Sequence, residues 1–184
     1  MVLLLVGLVA PPARAYGPLE LELDVHDEIN RVRQGLRLRP LTLATDLSGV
    51  ARGHSRDMAE QNYFEHEGLD GRSPFDRIRA GGITYQVAAE NLVLIGGRGI
   101  RVAPLAAQLW VKSPGHYRNI QLPGVTESGV GAWTRDGTVY VTQLFLLRPQ
   151  AAQRRGATVP RPPRRPDGTV LGERSALLHA RRTR

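Results

Sequence analysis

The run Val130-Gly131-Ala132-Trp133-Thr134-Arg135-Asp136-Gly137-Thr138-Val139-Tyr140-Val141-Thr142-Gln143-Leu144-Phe145 places two segments rich in β-branched and aromatic residues on either side of an Asp-Gly pair. Asp-Gly supplies the two positive-φ positions of a type I′ turn, so the run reads as a β-hairpin. Two strands alone are marginal in water, and the rest of the chain must cover them. Working back from the hairpin, Glu90-Asn91-Leu92-Val93-Leu94-Ile95 is closed by Gly96-Gly97. It reads as a buried strand or the end of a helix–strand junction.

The remaining segments read as helices. Residues 19–34 set Leu21, Val25, Ile29 and Val32 at helical spacing, with acids early and Arg31 and Arg33 late, as the helix dipole favours; Gly35 ends the pattern. After a loop at 36–41, a second helix is expected over 45–62, with Leu47, Val50, Ala51, His54 and Met58 on one stripe and Asp46 as its N-cap. Ser73-Pro74-Phe75-Asp76 marks the start of a short helix that stops at Gly81-Gly82. Another helix begins near Pro104, covers Leu105, Leu109 and Trp110, and halts at Ser113-Pro114-Gly115-His116, where the Ser-Pro signal repeats and opens a helical turn over 115–120. Helices outnumber strands, and a small sheet must be covered on both faces. The expected fold is therefore α+β, a three-layer α-β-α sandwich around a small, mainly antiparallel central sheet. Gly129-Val130-Gly131 lacks the rest of a dinucleotide fingerprint and reads as tight sheet packing.

The chain has 184 residues, about one domain's worth. It contains no cysteine, which excludes a disulfide scaffold, a thiolate nucleophile and every Cys-ligated zinc or iron–sulfur site. Its formal charge of +8 is unevenly distributed. Residues 149–184 hold nine arginines and five prolines against only Asp167 and Glu173, whereas residues 1–148 carry 16 basic and 15 acidic side chains. Residues 149–184 are expected to be a disordered basic tail, first of all a solvated extension, with salt-dependent contact to anionic surfaces as the second reading. With the charge confined there, and no basic face interleaved with aromatics in the domain, no specific nucleic-acid binding is expected. At the other end, residues 1–15 read as a signal peptide: an apolar core over 2–10, Pro11 and Pro12 as breakers, and Ala13-Arg14-Ala15 as a small-x-small cleavage site. No Lys or Arg precedes that core, and an N-terminal apolar strand is the competing reading. Export would leave a domain over 16–148, in the periplasm or outside the cell. No apolar run reaches the roughly 18 residues that a membrane-spanning helix needs.

Several chemistries lack their motifs. There is no phosphate-cradling loop ending in Gly-Lys-Ser/Thr, no Gly-x-Ser-x-Gly elbow and no His-Glu-x-x-His. Of the five histidines, His26 beside Asp27 and Glu28 reads as a surface residue, and His179 falls in the tail. His54 lies on the apolar stripe of the second helix and reads as a buried histidine bonded to backbone. His66 and His116 remain, both just outside regular helix, where function concentrates. His116 falls near the third helical position after Ser113, where unpaired N–H groups disfavour an imidazolium. Their separation in sequence is no metal signature.

Taken together, Tyr63-Phe64-x-His66, Asp70-Gly71-x-Ser73-Pro74-Phe75-Asp76-Arg77, Ala89-Glu90-Asn91, Trp110-x-x-Ser113-Pro114-Gly115-His116-x-x-Asn119-Ile120, and Gly129-Val130-Gly131 with Tyr140-x-Thr142-Gln143-x-Phe145 resemble the bacterial branch of the CAP superfamily. This superfamily, also called SCP-domain, groups cysteine-rich secretory proteins, venom allergens and plant pathogenesis-related proteins. The resemblance covers about residues 22–147 in the expected order. It implies a central cleft in which two histidines and two glutamates converge. His66, Glu90 and His116 match three of them; Ser113 occupies the position of the second glutamate, and Ala89 replaces the usual glycine.

The resemblance also implies a divalent metal, often zinc, held by the two histidines with water beside the glutamates. Loss of the second carboxylate leaves the site less anionic unless Glu65, Glu67 or Asp70 substitutes. Two functions are then expected. The favoured one is a secreted binding module whose cleft takes a divalent ion at His66 and His116 and meets a lipid, glycan or other cell-envelope component. The alternative is a metal-assisted, peptidase-like hydrolase of an extracellular polymer, with Glu90 as general base and Ser113 orienting water.

Overall fold

The computed structural model describes residues 18–97 and 99–149. The signal-peptide reading at 1–15, His179 and, apart from Pro149, the tail reading lie outside them. In chain order the elements are α1 (Pro18–Gly35), β1 (Thr42–Leu43), α2 (Thr45–Gln61), α3 (Pro74–Ala80), β2 (Val87–Gly96), α4 (Val102–Lys112), α5 (Pro114–Ile120), β3 (Glu127–Arg135) and β4 (Thr138–Leu147). β3 and β4 form the expected hairpin, with Asp136 at φ 50° and Gly137 at φ 75°, as a type I′ turn requires.

The sheet runs β1-β3-β4-β2. β2–β4 and β3–β4 are antiparallel, and the two-residue β1 joins β3 in parallel through Thr42 and Leu43. Nothing in the sequence announces β1; two residues are too short to show a period. Side-chain alternation divides the core into two layers. On one face Val93, Val130, Ala132, Val141 and Phe145 pack with Val25 and Ile29 of α1 and with Ala106 and Trp110 of α4. On the other, Leu144 and Leu146 pack with Leu47 and Ala51 of α2 and Ile78 of α3, while Leu92 and Tyr140 meet Met58 and Ala59. The fold is the three-layer α+β sandwich.

Gly129 and Gly131 let α2 lie directly on β3. A Cβ at Gly131 would stand 1.9 Å from the Arg52 backbone nitrogen, and one at Gly129 would stand 2.4 Å from the carbonyl carbon of Leu47. At this interface, Val130 N–H donates to Ser48 Oγ and Ala132 N–H to the buried Glu22 carboxylate, which also accepts two bonds from Arg52. Strand edges need such partners to stay unavailable to other chains.

Two local expectations are corrected. Asp46 is not the N-cap of α2: Ala44 holds that position without a side-chain bond, and the Asp46 carboxylate accepts from Leu47 N–H and Arg148 instead. His26 is not a surface residue, being only 6% exposed, with Nε2 in a hydrogen bond with the Asn30 side-chain amide. Its acidic neighbours in sequence gave a misleading local signal, because a helix turns adjacent residues onto different faces.

Candidate functional site

The site is built at β2, the terminal strand opposite β1. Alternation sends the Glu90 side chain to the α2–α3 layer and the Asn91 side chain to the α4–α5 layer, so one strand reaches both halves. Its outward-facing carbonyls are bonded by side chains: Asn119 Nδ2 donates to Glu90 O at 3.0 Å and Trp110 Nε1 to Leu92 O at 2.8 Å.

His66 is delivered by the loop after α2, and several groups hold that loop. Asn62 ends the helix in the left-handed region at φ 56°, Tyr63 N–H donates to Met58 O, and the Tyr63 hydroxyl donates to the Asp57 carboxylate. Burial, together with that carboxylate, raises the Tyr63 pKa. His54, 2% exposed, donates from Nε2 to Glu65 O at 3.0 Å and sets its ring edge-on to Tyr63. Burial, and then the Arg77 charge, lower its pKa, so this ring is a neutral backbone donor. His54 is thus buried and backbone-bonded as expected, and what it holds is the residue beside His66.

Glu90 is 6% exposed. Its Oε1 accepts from His66 Nδ1 at 2.8 Å and its Oε2 from an Arg77 terminal nitrogen at 2.9 Å. The other terminal nitrogen of Arg77 donates to His66 O and Arg72 O. Arg77 is carried on α3, whose start is secured by a capping box between Ser73 and Asp76. A groove with about 270 Å³ of open space runs along α2 beside this pair, lined in part by Gly49, Gly53, His54 and Arg77.

His116 is the third residue of α5. Asn91 Nδ2 donates to its carbonyl at 3.2 Å, and Asn119 Nδ2 donates to Asn91 Oδ1 at 2.9 Å. The two asparagines therefore join the half that carries His116 to the strand that carries Glu90. Burial lowers the His116 pKa, and the nearby His66 lowers it further, which keeps the ring neutral. Ser113 holds the N-cap backbone position of α5, but its hydroxyl makes no capping bond.

The sequence-derived residues are therefore distributed as follows. His66 and Glu90 are in direct contact, His116 lies within electrostatic reach of His66, and Ser113 makes no hydrogen bond to any of them among the described residues. Glu65, Glu67 and Asp70 do not supply the absent carboxylate: all three are exposed, and among the described residues no three His, Asp or Glu side chains are grouped to hold a metal ion. Arg77, Asn91 and Asn119 stood in the quoted motifs without a role. Nothing in their spacing announces that they join β2 to α3 and α5.

Residues 26–145 match the profile of the cysteine-rich secretory protein family, CAP. The chain belongs to this family. It is 36% identical over 125 residues to the uncharacterized protein YkwD of Bacillus subtilis (strain 168), an alignment covering 68% of this chain and 46% of that one. An extracellular SCP-domain protein of Bacillus anthracis str. Ames superposes with a TM-score of 0.61 at 28% identity, covering 76% of this chain and 45% of that one. An outer surface protein of Borrelia burgdorferi superposes with a TM-score of 0.65 at 22% identity, covering 74% of this chain and 99% of that one. This chain thus spans less than half the length of YkwD and of the Bacillus anthracis protein. Among the described residues no helix is long and apolar enough to cross a membrane.

Proposed function

We propose that this CAP domain is an exported binding module whose site takes a divalent ion, zinc being the natural candidate, through the His66 and His116 rings, and that it acts in recognition of a lipid, glycan or other cell-envelope component. The observation that carries the reading is the His66–Glu90 pair. Nδ1–H of His66 is spent on the carboxylate, which selects the tautomer with its lone pair on Nε2; carboxylate-backed imidazoles of this kind are habitual metal ligands. A second ring that burial keeps neutral stands nearby. A divalent ion there would supply Lewis acidity and open positions for water or a ligand group. Export is supported by the extracellular and outer-surface descriptions of relatives, and the basic segment at 149–184 would add attraction to anionic surfaces.

Glu90 suits a positioning role better than that of a general base, because both its oxygens are already engaged. The hydrolytic alternative would have to free one of them. Calorimetric titration of the purified protein with Zn²⁺ tests the reading. Saturable 1:1 binding is expected, weakened by about 10-fold or more in His66→Ala and in His116→Ala, since each removes one of two ligands. Absence of binding, or binding that neither substitution alters, would refute it.

A further inference from the structure

Among the described residues, Glu90 is the one carboxylate in direct contact with His66, and Arg77 faces it across a buried contact, the Glu90 and Arg77 side chains being 2% and 11% exposed. Arg77 is not free to swing aside, because its other terminal nitrogen is tied to the carbonyls of His66 and Arg72. One oxygen of Glu90 therefore belongs to a guanidinium and the other to the back of an imidazole, and the charges of the pair cancel. A cation entering between His66 and His116 would meet two imidazoles, a carboxylate engaged behind one of them, and the guanidinium that neutralises it. In cation sites, charge near the ion sets affinity; the His66 side chain is 54% exposed, but the Glu90–Arg77 contact behind it is buried, where each charge counts for more than it would in water.

The geometry points to Arg77 as the residue that sets the cation affinity of this site, by cancelling the charge of the Glu90 carboxylate that backs the His66 ring, so that a divalent ion is held by two imidazoles and exchanges readily. This inference rests on the two-imidazole reading above and adds a sign that reading does not contain. Removing Arg77 should strengthen metal binding, whereas a residue that merely supported the site would weaken it on removal.

The test uses the full chain and its Arg77→Gln, Arg77→Met, Arg77→Lys and Glu90→Gln variants, together with Arg77→Gln/Glu90→Gln. Folding is checked by far-UV circular dichroism. Zn²⁺ affinity is measured by calorimetry, and Co²⁺ visible absorption reports the ligand set. In Arg77→Gln or Arg77→Met, whichever folds, Zn²⁺ should bind at least ~10-fold more tightly, the scale over which outer-sphere partners tune metal sites. The Co²⁺ bands should keep the pattern of the unaltered protein, since Glu90 stays behind the His66 ring and the ligand set does not change. Arg77→Lys keeps the charge and should show a clearly smaller gain. The gain should vanish when Glu90→Gln is added.

Affinity that is unchanged or reduced without Arg77, a gain that persists without Glu90, or an equal gain in Arg77→Lys would each overturn the inference. If the unaltered protein binds Zn²⁺ and removing Arg77 does not tighten it, the inference falls and the metal reading stands. If the unaltered protein fails to bind and the Arg77 variants bind only while Glu90 is present, the metal reading of the native site falls and the role of Arg77 stands. Binding by neither removes both.

Discussion

Replacing Gly131 with alanine should be among the most damaging single-methyl changes in this domain. The added carbon would lie 1.9 Å from Arg52 N, 2.2 Å from Ala51 C and 2.3 Å from Arg52 Cα, where ordinary contact begins at 3.4 Å. All three obstacles are helix backbone, so no rotamer change relieves them. α2 would have to withdraw by about 1.5 Å, the difference between these distances and ordinary contact, loosening Leu47, Ala51, Met58 and Ala59, which are all fully buried. It would also stretch the bonds from Ser55 Oγ to Gly131 O and from Val130 N–H to Ser48 Oγ. Overpacking typically costs about 1–3 kcal/mol, and each buried polar group left unpaired adds roughly another 1 kcal/mol or more. An expected loss of about 3–5 kcal/mol is a large part of the roughly 5–15 kcal/mol that holds an ordinary domain together. The assay is urea denaturation followed by circular dichroism, with Gly49→Ala and Gly53→Ala as controls. A Cβ at either control position meets nothing within 4 Å, so on helix propensity each should stabilise by about 0.5–1 kcal/mol. If Gly131→Ala stayed within about 1 kcal/mol of the parent, the contact of α2 with β3 could not be as close as described.

Two further outcomes follow from the framework around the site. Asp76, hydrogen-bonded by Ser73 and Arg79, has its pKa lowered from 3.8 to about 2. A depressed carboxylate stabilises the fold fully above its unfolded pKa, and that contribution disappears as pH falls from about 4 through 2; the melting-temperature gap between the parent and Asp76→Asn should therefore close over that window, and a gap that widened on acidification would contradict the assignment. Asn119→Ala removes donors to Glu90 O and Asn91 Oδ1, leaving buried acceptors unpaired at a cost of about 1–3 kcal/mol. Because the lost bonds join α5 to β2, amide exchange should accelerate over residues 114–120 more than over α2, and a uniform change would remove Asn119 as the link.

The element pattern, the hairpin turn and the capping of α3 could be read from the sequence because each depends on residues within a few positions of one another. Asp136-Gly137 specifies its turn through φ alone, and Ser73-Pro74-Phe75-Asp76 satisfies its own backbone donors. The pair of glycines at 129 and 131 announced a close approach without saying what approaches. Sorting the histidines left His66 and His116, but grouping them with Glu90 and Ser113 took the ordered motif blocks, since no local rule relates positions so far apart in the chain. Only the tertiary structure decided who holds whom. β2 alternates Glu90 and Asn91 into opposite layers, Arg77 crosses from α3 to occupy the carboxylate, and the loop after α2 lays His66 against the other oxygen. Burial and charge pairing at such a place depend on the surroundings that distant segments supply. That is also why the acidic neighbours of His26 wrongly suggested exposure, and why the parts of Arg77 and Asn119 could not be read from their spacing.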